Sequence, residues 1–102
     1  MSRSADDFRR IYGSPERREW VGNQPCVVCG VRLCVNAHTR TGGTGRKADY
    51  WTIIPLCHWH HAESHQGVKT FSAKYNLDLA VEAQLTQYRW TSYTQHSTEA
   101  RS

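Results

Sequence analysis

Cys57, His58, His60, His61 and His65 place five good metal ligands within nine residues, more than one tetrahedral ion can use. Cys57 and His60 are spaced Cys-x-x-His, and upstream Cys26 and Cys29 are spaced Cys-x-x-Cys. Two intervening residues let both side chains of such a pair reach one ion from a tight turn or a helix start. Together the pairs make a Cys3His set, a common closed zinc site. Full protein coordination leaves no place for water, so this zinc is expected to stabilise the fold and do no chemistry. Cys34 can replace His60 as the fourth ligand or be a packed thiol. Isolated free cysteines are usually just packed, and that is the expectation here.

His58, His61 and His65 remain in the segment. On a helix they fall within a sector of about 60°, with Cys57 and His60 to one side. His61 and His65, at i and i+4, suit a single ion and leave it open positions for water and substrate, as catalysis requires. His38 is the candidate third participant, just before a glycine-rich loop. A neutral imidazole near pH 7 can take a proton from water. Arg40, Arg46 and Lys47 in or beside that loop are expected to position a nucleic-acid backbone, with Gly42, Gly43 and Gly45 allowing close approach. Two rival metal patterns fail. Zinc deaminases place Cys-x-x-Cys after the His-x-Glu pair, whereas here the cysteine pair precedes it. The His-Glu-x-x-His pattern of zinc proteases is absent.

The elements that must position these residues follow from local signals. Residues 1–13 are polar and expected to be loose at the start. Residues 14–21 read as a helix, with Ser14 as N-cap and Pro15 at the first helical position. Residues 31–38 read as mostly strand, 39–49 as a loop and 50–57 as a second strand ended by Pro55. Residues 58–67 read as a helix stopped by Gly67. Residues 70–93 read as helical, with Asn76 or Asp78 capping a second segment, and the polar tail from Thr94 is expected to fray. Trp51 and Trp59 are expected in the core around the zinc, with Phe71, Tyr75, Leu85 and Tyr88 also in the core. His58 either joins the catalytic face or is plain surface, and His96 is a bystander.

The stretches "CVVC", "NAHTRTGG", "KADYWTIIPLC" and "HHAESH" resemble the HNH, or ββα-metal, nucleases over roughly residues 26–71. In that motif a histidine ends the first strand, an Asn-like residue opens the second, and a histidine lies on the following helix. The resemblance implies an α+β fold, a small zinc-stabilised ββα-metal (His-Me finger) domain with flanking helices. It implies a metal-dependent endonuclease that hydrolyses DNA to 5′-phosphate and 3′-hydroxyl ends. The motif order looks most like small phage and prophage recombination-enhancement nucleases, which implies a recombination protein as partner. Two positions depart from the pattern. Ala37 stands before His38, so one member of the usual pair is missing; His38 is general base in one register of the motif and metal ligand in the other, with the base favoured. Thr52 stands where the motif has Asn, and its hydroxyl can do part of the buttressing. Asp49 is expected to orient His38 or to bind the metal through water. The catalytic ion is Mg2+, Mn2+, Zn2+ or Ni2+, since imidazole and water suit them all.

The whole chain sets bounds on these readings. Its 102 residues suit one domain, and with 38% apolar residues a core is thin enough to gain from a structural metal. A net charge of +4 is compatible with DNA, double- or single-stranded. No apolar run is long enough to span a membrane and the N-terminus lacks the centre of a signal peptide, so the cytoplasm of a bacterial host is the expectation. There, four cysteines suggest metal thiolates rather than disulfides. The competing reading is a non-catalytic zinc module that binds DNA or a protein; the surplus histidines His38, His61 and His65 favour catalysis.

Overall fold

The computed structural model describes residues 2–39 and 49–101, and side chains within 5–39 and 49–95. Arg40, Arg46 and Lys47 lie outside the described residues. So does the side chain of His96. The element order is α1 (Ser2–Tyr12), α2 (Pro15–Gly22), β1 (Cys34–His38), a 3-10 turn (Tyr50–Thr52), β2 (Ile53–Cys57), α3 (His58–Ser64), α4 (Val68–Tyr75) and α5 (Leu79–Arg101). This is a small α+β arrangement around a two-stranded sheet. Among the described residues, no helix is long and apolar enough to cross a membrane.

The N-terminal segment, expected to be loose, is helical. Phe8 and Tyr12, one turn apart on α1, pack with ring centroids 5.0 Å apart. Gly13 ends α1 at φ +86°, and a Cβ there would meet the Arg17 Cδ at 2.9 Å. Glycine is therefore needed both for the backbone and for the close approach of α2. Ser14 then caps α2, its Oγ accepting from the Arg17 N–H at 3.0 Å, with Pro15 at the first position as expected.

The sheet is antiparallel, pairing Cys34 with Cys57 at one end and His38 with Ile53 at the other. Four residue steps at about 3.4 Å separate those ends by roughly 14 Å. Pro55 sits inside β2 opposite Asn36 rather than ending it. A two-stranded sheet has only edge strands, so a missing N–H is tolerated, and the Pro55 carbonyl still accepts from Val27 N–H at 3.1 Å. All five β2 residues are buried, because α2, α3 and α5 pack against the strand.

Ile54, Leu56, Phe71 and Ala83 form the core with Ala37, Cys26 and Cys57. Burying an Ile, Leu or Phe side chain contributes about 1.5–3 kcal/mol. Trp20 of α2 meets Trp90 and Tyr93 of α5 at 5.5 and 5.9 Å. Other aromatic expectations fail. Trp51 is 48% and Trp59 80% exposed. Tyr88 is 69% exposed and Leu85 also faces outward, because α5 turns Ala83 and Thr86 inward instead. Phe71 is buried as expected and Tyr75 is half-buried. α3 ends earlier than expected, at Ser64, and Gly67 is the N-cap of α4. Asn76, left-handed at φ 53°, closes α4, while the Asp78 carboxylate accepts from Val81 N–H at 3.2 Å as α5 begins. The tail from Thr94 continues the α5 helix rather than fraying from it.

Candidate functional site

The Cys-x-x-Cys pair is carried on a tight turn. Gly30, at φ +79°, lets its N–H reach back to the Cys26 carbonyl at 2.9 Å, and Val28 N–H points at the Cys26 Sγ at 3.4 Å. The second pair spans the junction where β2 ends at Cys57 and α3 begins at His58. The register fixes this junction, and the Val27–Pro55 bond ties the turn to it. Cys26, Cys29, Cys57 and His60 offer ligand atoms that all lie within 4.8 Å of one another, a group able to hold a metal ion. Cys29 Sγ and Cys57 Sγ are 3.8 Å apart. Zinc–sulfur bonds of about 2.3 Å place tetrahedral sulfurs about 3.8 Å apart, so the donor set fits zinc. His60 faces the group through Nδ1, 3.2 Å from Cys57 Sγ and 3.7 Å from Cys26 Sγ.

Burial opposes ionisation of the Cys26 thiol, but N–H donors of Cys57, Cys29 and Val28 outweigh it and bring the pKa down to about 6. A thiolate is thus favoured where a ligand is needed. Cys34 differs. Its Sγ donates to the Val31 carbonyl at 3.3 Å. Burial, followed by negative charge at Cys26, Cys57 and Cys29, pushes its pKa up to about 11. It stands outside the group of four, as a packed thiol. Around His60, Tyr75 meets the ring edge-on at 5.4 Å. Glu63 holds Tyr75 through a 2.5 Å bond from its hydroxyl and Lys74 at 2.6 Å. Lys74 first and Tyr75 second hold the Glu63 carboxyl below its usual range.

His61 and His65 turn elsewhere. Their Nε2 atoms are 3.1 Å apart and their ring centroids 4.5 Å apart. An ion with nitrogen ligands at about 2.1 Å holds two of them about 3.0–3.4 Å apart, so the pair fits a shared cation; an N–H···N hydrogen bond has the same span. Both line a cleft of about 1150 Å3 that His38 also lines, with Tyr12 and Arg18 from α1 and α2. His58 is exposed, stands near Trp59 and does not line the cleft.

His38 ends β1 as expected, but its orientation comes from a place the sequence did not suggest. Its Nε2 donates to the Ile11 carbonyl at 2.9 Å, one of the orphan acceptors in the last turn of α1. Tyr12 packs on the same ring at 5.8 Å. Asp49, expected to orient His38 or reach a metal, instead faces Arg10 at 3.6 Å. The distance suits that pairing because α1 packs against the turn that follows Asp49. Thr52 is buried and gives its hydroxyl to the Asp49 carbonyl at 2.8 Å. Its own carbonyl accepts from both Thr39 N–H and Thr39 Oγ1, at 3.0 and 2.8 Å. Thr52 therefore fastens the chain beside His38 rather than bonding the imidazole directly.

Comparison with known proteins gives a family. "Uncharacterized protein YdfU" of Escherichia coli (strain K12) is 35% identical over 74 residues, which is 70% of this chain and 21% of that protein. The chain thus spans far less than the full length of this curated relative. No solved structure matches it. A family model described as "Protein of unknown function (DUF968)" matches residues 8–90. That span takes in the whole Cys3His group and every residue lining the histidine cleft, and the chain belongs to the DUF968 family.

Proposed function

We propose that this protein is a metal-dependent endonuclease of the ββα-metal type, hydrolysing phosphodiester bonds in DNA. One observation carries the reading: the His61 and His65 Nε2 atoms pair at 3.1 Å in the cleft that His38 lines, and none of the three belongs to the Cys3His group. β1, β2 and α3 are then the ββα unit, with zinc in the Cys3His group.

His38 acts as general base. Its Nε2–H is engaged by the Ile11 carbonyl, so the neutral ring carries its lone pair on Nδ1, the atom that takes a proton from an attacking water. His61 and His65 would hold the catalytic divalent ion, Mg2+, Mn2+, Zn2+ or Ni2+, which would supply positive charge to the phosphate being cleaved. Thr52 keeps the end of β1 fastened through Thr39, which fixes where His38 stands. The net charge of +4 suits a polyanionic substrate. A role in phage or prophage recombination beside a recombination protein rests on the resemblance in motif order.

A second reading, a zinc module that binds DNA or protein without cleaving, is favoured by one observation. Asp49 and Thr52 both serve other bonds, so neither buttresses the base. Plasmid and single-stranded DNA incubated with the purified protein in each of the four metals separate the readings. The nuclease reading expects metal-dependent cleavage, lost in His38→Ala and in His61→Ala. Cleavage unchanged in both variants overturns it, and DNA binding without cleavage in any metal leaves the zinc module.

A further inference from the structure

Besides its histidines, the cleft is lined by one cationic side chain among the described residues, Arg18, next to the acidic Glu19. Arg18 is exposed on α2 and takes part in no ion pair among the described residues. Its guanidinium lies over the Tyr12 ring at 5.0 Å, and Tyr12 in turn packs on His38 at 5.8 Å. The Arg18 backbone is fixed as well, since its carbonyl accepts from the Asn36 side chain at 3.0 Å, joining α2 to β1. A guanidinium held on a ring face keeps its planar donor fork while losing little freedom on binding, a good way to present a cation to a phosphate.

We propose that Arg18 is a substrate-binding residue, contacting a backbone phosphate of a nucleic-acid strand lying in the cleft beside His38. This rests on the nuclease reading and adds to it a contact from α2, outside the ββα unit. The residue is exposed, its aromatic support touches the base histidine, and among the described residues no carboxylate pairs with it. Exposure and contact with the ring that packs on His38 distinguish it from Arg17 on the same helix, which is buried over Tyr50 and bonded to Gln87.

The test uses the full chain with its metal and two probes, a fluorescein-labelled DNA duplex and the matching single strand. Binding is measured by anisotropy against NaCl in a His38→Ala background, with and without R18A or R18K. Cleavage kinetics are measured for R18A and R18K with His38 intact. R18A is expected to weaken binding about tenfold on at least one probe and to reduce the salt slope by about one. It should raise KM with kcat nearly unchanged and leave the melting temperature where it was. R18K keeps the slope and recovers part of the affinity. If DNA is cleaved and R18A matches the parent in affinity, slope and KM, the Arg18 assignment is wrong while the nuclease reading stands. A fall in kcat at constant KM overturns it too, because Arg18 would then act through Tyr12 and His38. If the parent neither binds nor cleaves DNA, both fall together.

Discussion

On one side of α3, Cys57 and His60 meet Cys26 and Cys29 in a tight group with two of its sulfurs buried. On the other, His61 and His65 pair at 3.1 Å in a wide cleft, and His65 is exposed. His60 and His61 are neighbours in sequence and serve opposite ends. The first group takes its ligands from two distant stretches and pins them together. The second takes its pair from α3 and the residue just past its end, and leaves space before it. Convergence with burial gives a donor set suited to stability, whereas a local pair facing a void gives one suited to exchange.

The strongest way to break this contrast is to remove a ligand from the closed side. Cys57→Ser, or chelation, is expected to unfold the protein. A structural zinc contributes about 10–16 kcal/mol in small zinc-folded peptides, as much as the whole net stability of a domain, about 5–15 kcal/mol. Circular dichroism with metal analysis reads this, and a cooperative melt retained without metal would show that the apolar core suffices. On the open side, the nuclease proposal expects His61→Ala or His65→Ala to shift stability by no more than about 0.5 kcal/mol while lowering cleavage at least about a hundredfold. Melting alongside plasmid nicking decides it. Unfolding comparable to that of Cys57→Ser would erase the distinction between the two sides.

Smaller effects sharpen it. Tyr75→Phe removes the bond to Glu63 but keeps the ring against His60. It should weaken zinc retention by less than about tenfold, below the 10–100-fold range for partners bonded directly to a ligand. Competition with a chromophoric chelator measures it, and a larger loss would mean that the hydroxyl, rather than the ring, holds His60. Arg17 is the last case, a buried group whose burial the Gln87 bond and the Tyr50 ring offset only in part. Its Nη atoms have no hydrogen-bond partner among the described residues, and burial lowers its pKa. Arg17→Met keeps most of the packing and removes the orphan charge, so stability should stay within about 1 kcal/mol or rise. A drop of several kcal/mol in chemical denaturation would reveal a role for the guanidinium that its contacts do not show.

The closed side was legible in the sequence because both half-sites are local spacings, and nothing else in a short chain explains two of them. The His61–His65 pairing was legible for the same reason. The wall opposite was not. α1 has Phe8, Ile11 and Tyr12 at helical spacing inside a charged stretch, too little apolar signal to stand out. Its decisive contribution, the Ile11 carbonyl on His38, is a backbone atom that no residue type advertises. Trp51 and Trp59 misled because large aromatics usually bury, yet Ile53, Ile54 and Leu56 already fill the space around the sheet. Leu85 and Tyr88 misled because an amphipathic pattern gives a stripe without saying which stripe meets the core. Asp49 was expected beside His38, whereas its carboxylate faces Arg10 of the same unforeseen helix.

The two hydrogen bonds from Thr39 to the Thr52 carbonyl have a consequence for chain length. They staple the chain where it leaves β1 and where it returns, so the intervening segment is bracketed like a cassette. Loop-closure entropy grows slowly, about 0.6 kcal/mol for each doubling of length. Lengthening the chain between Thr39 and Asp49 is therefore expected to cost the sheet little while the Cys3His group and His38 keep their positions.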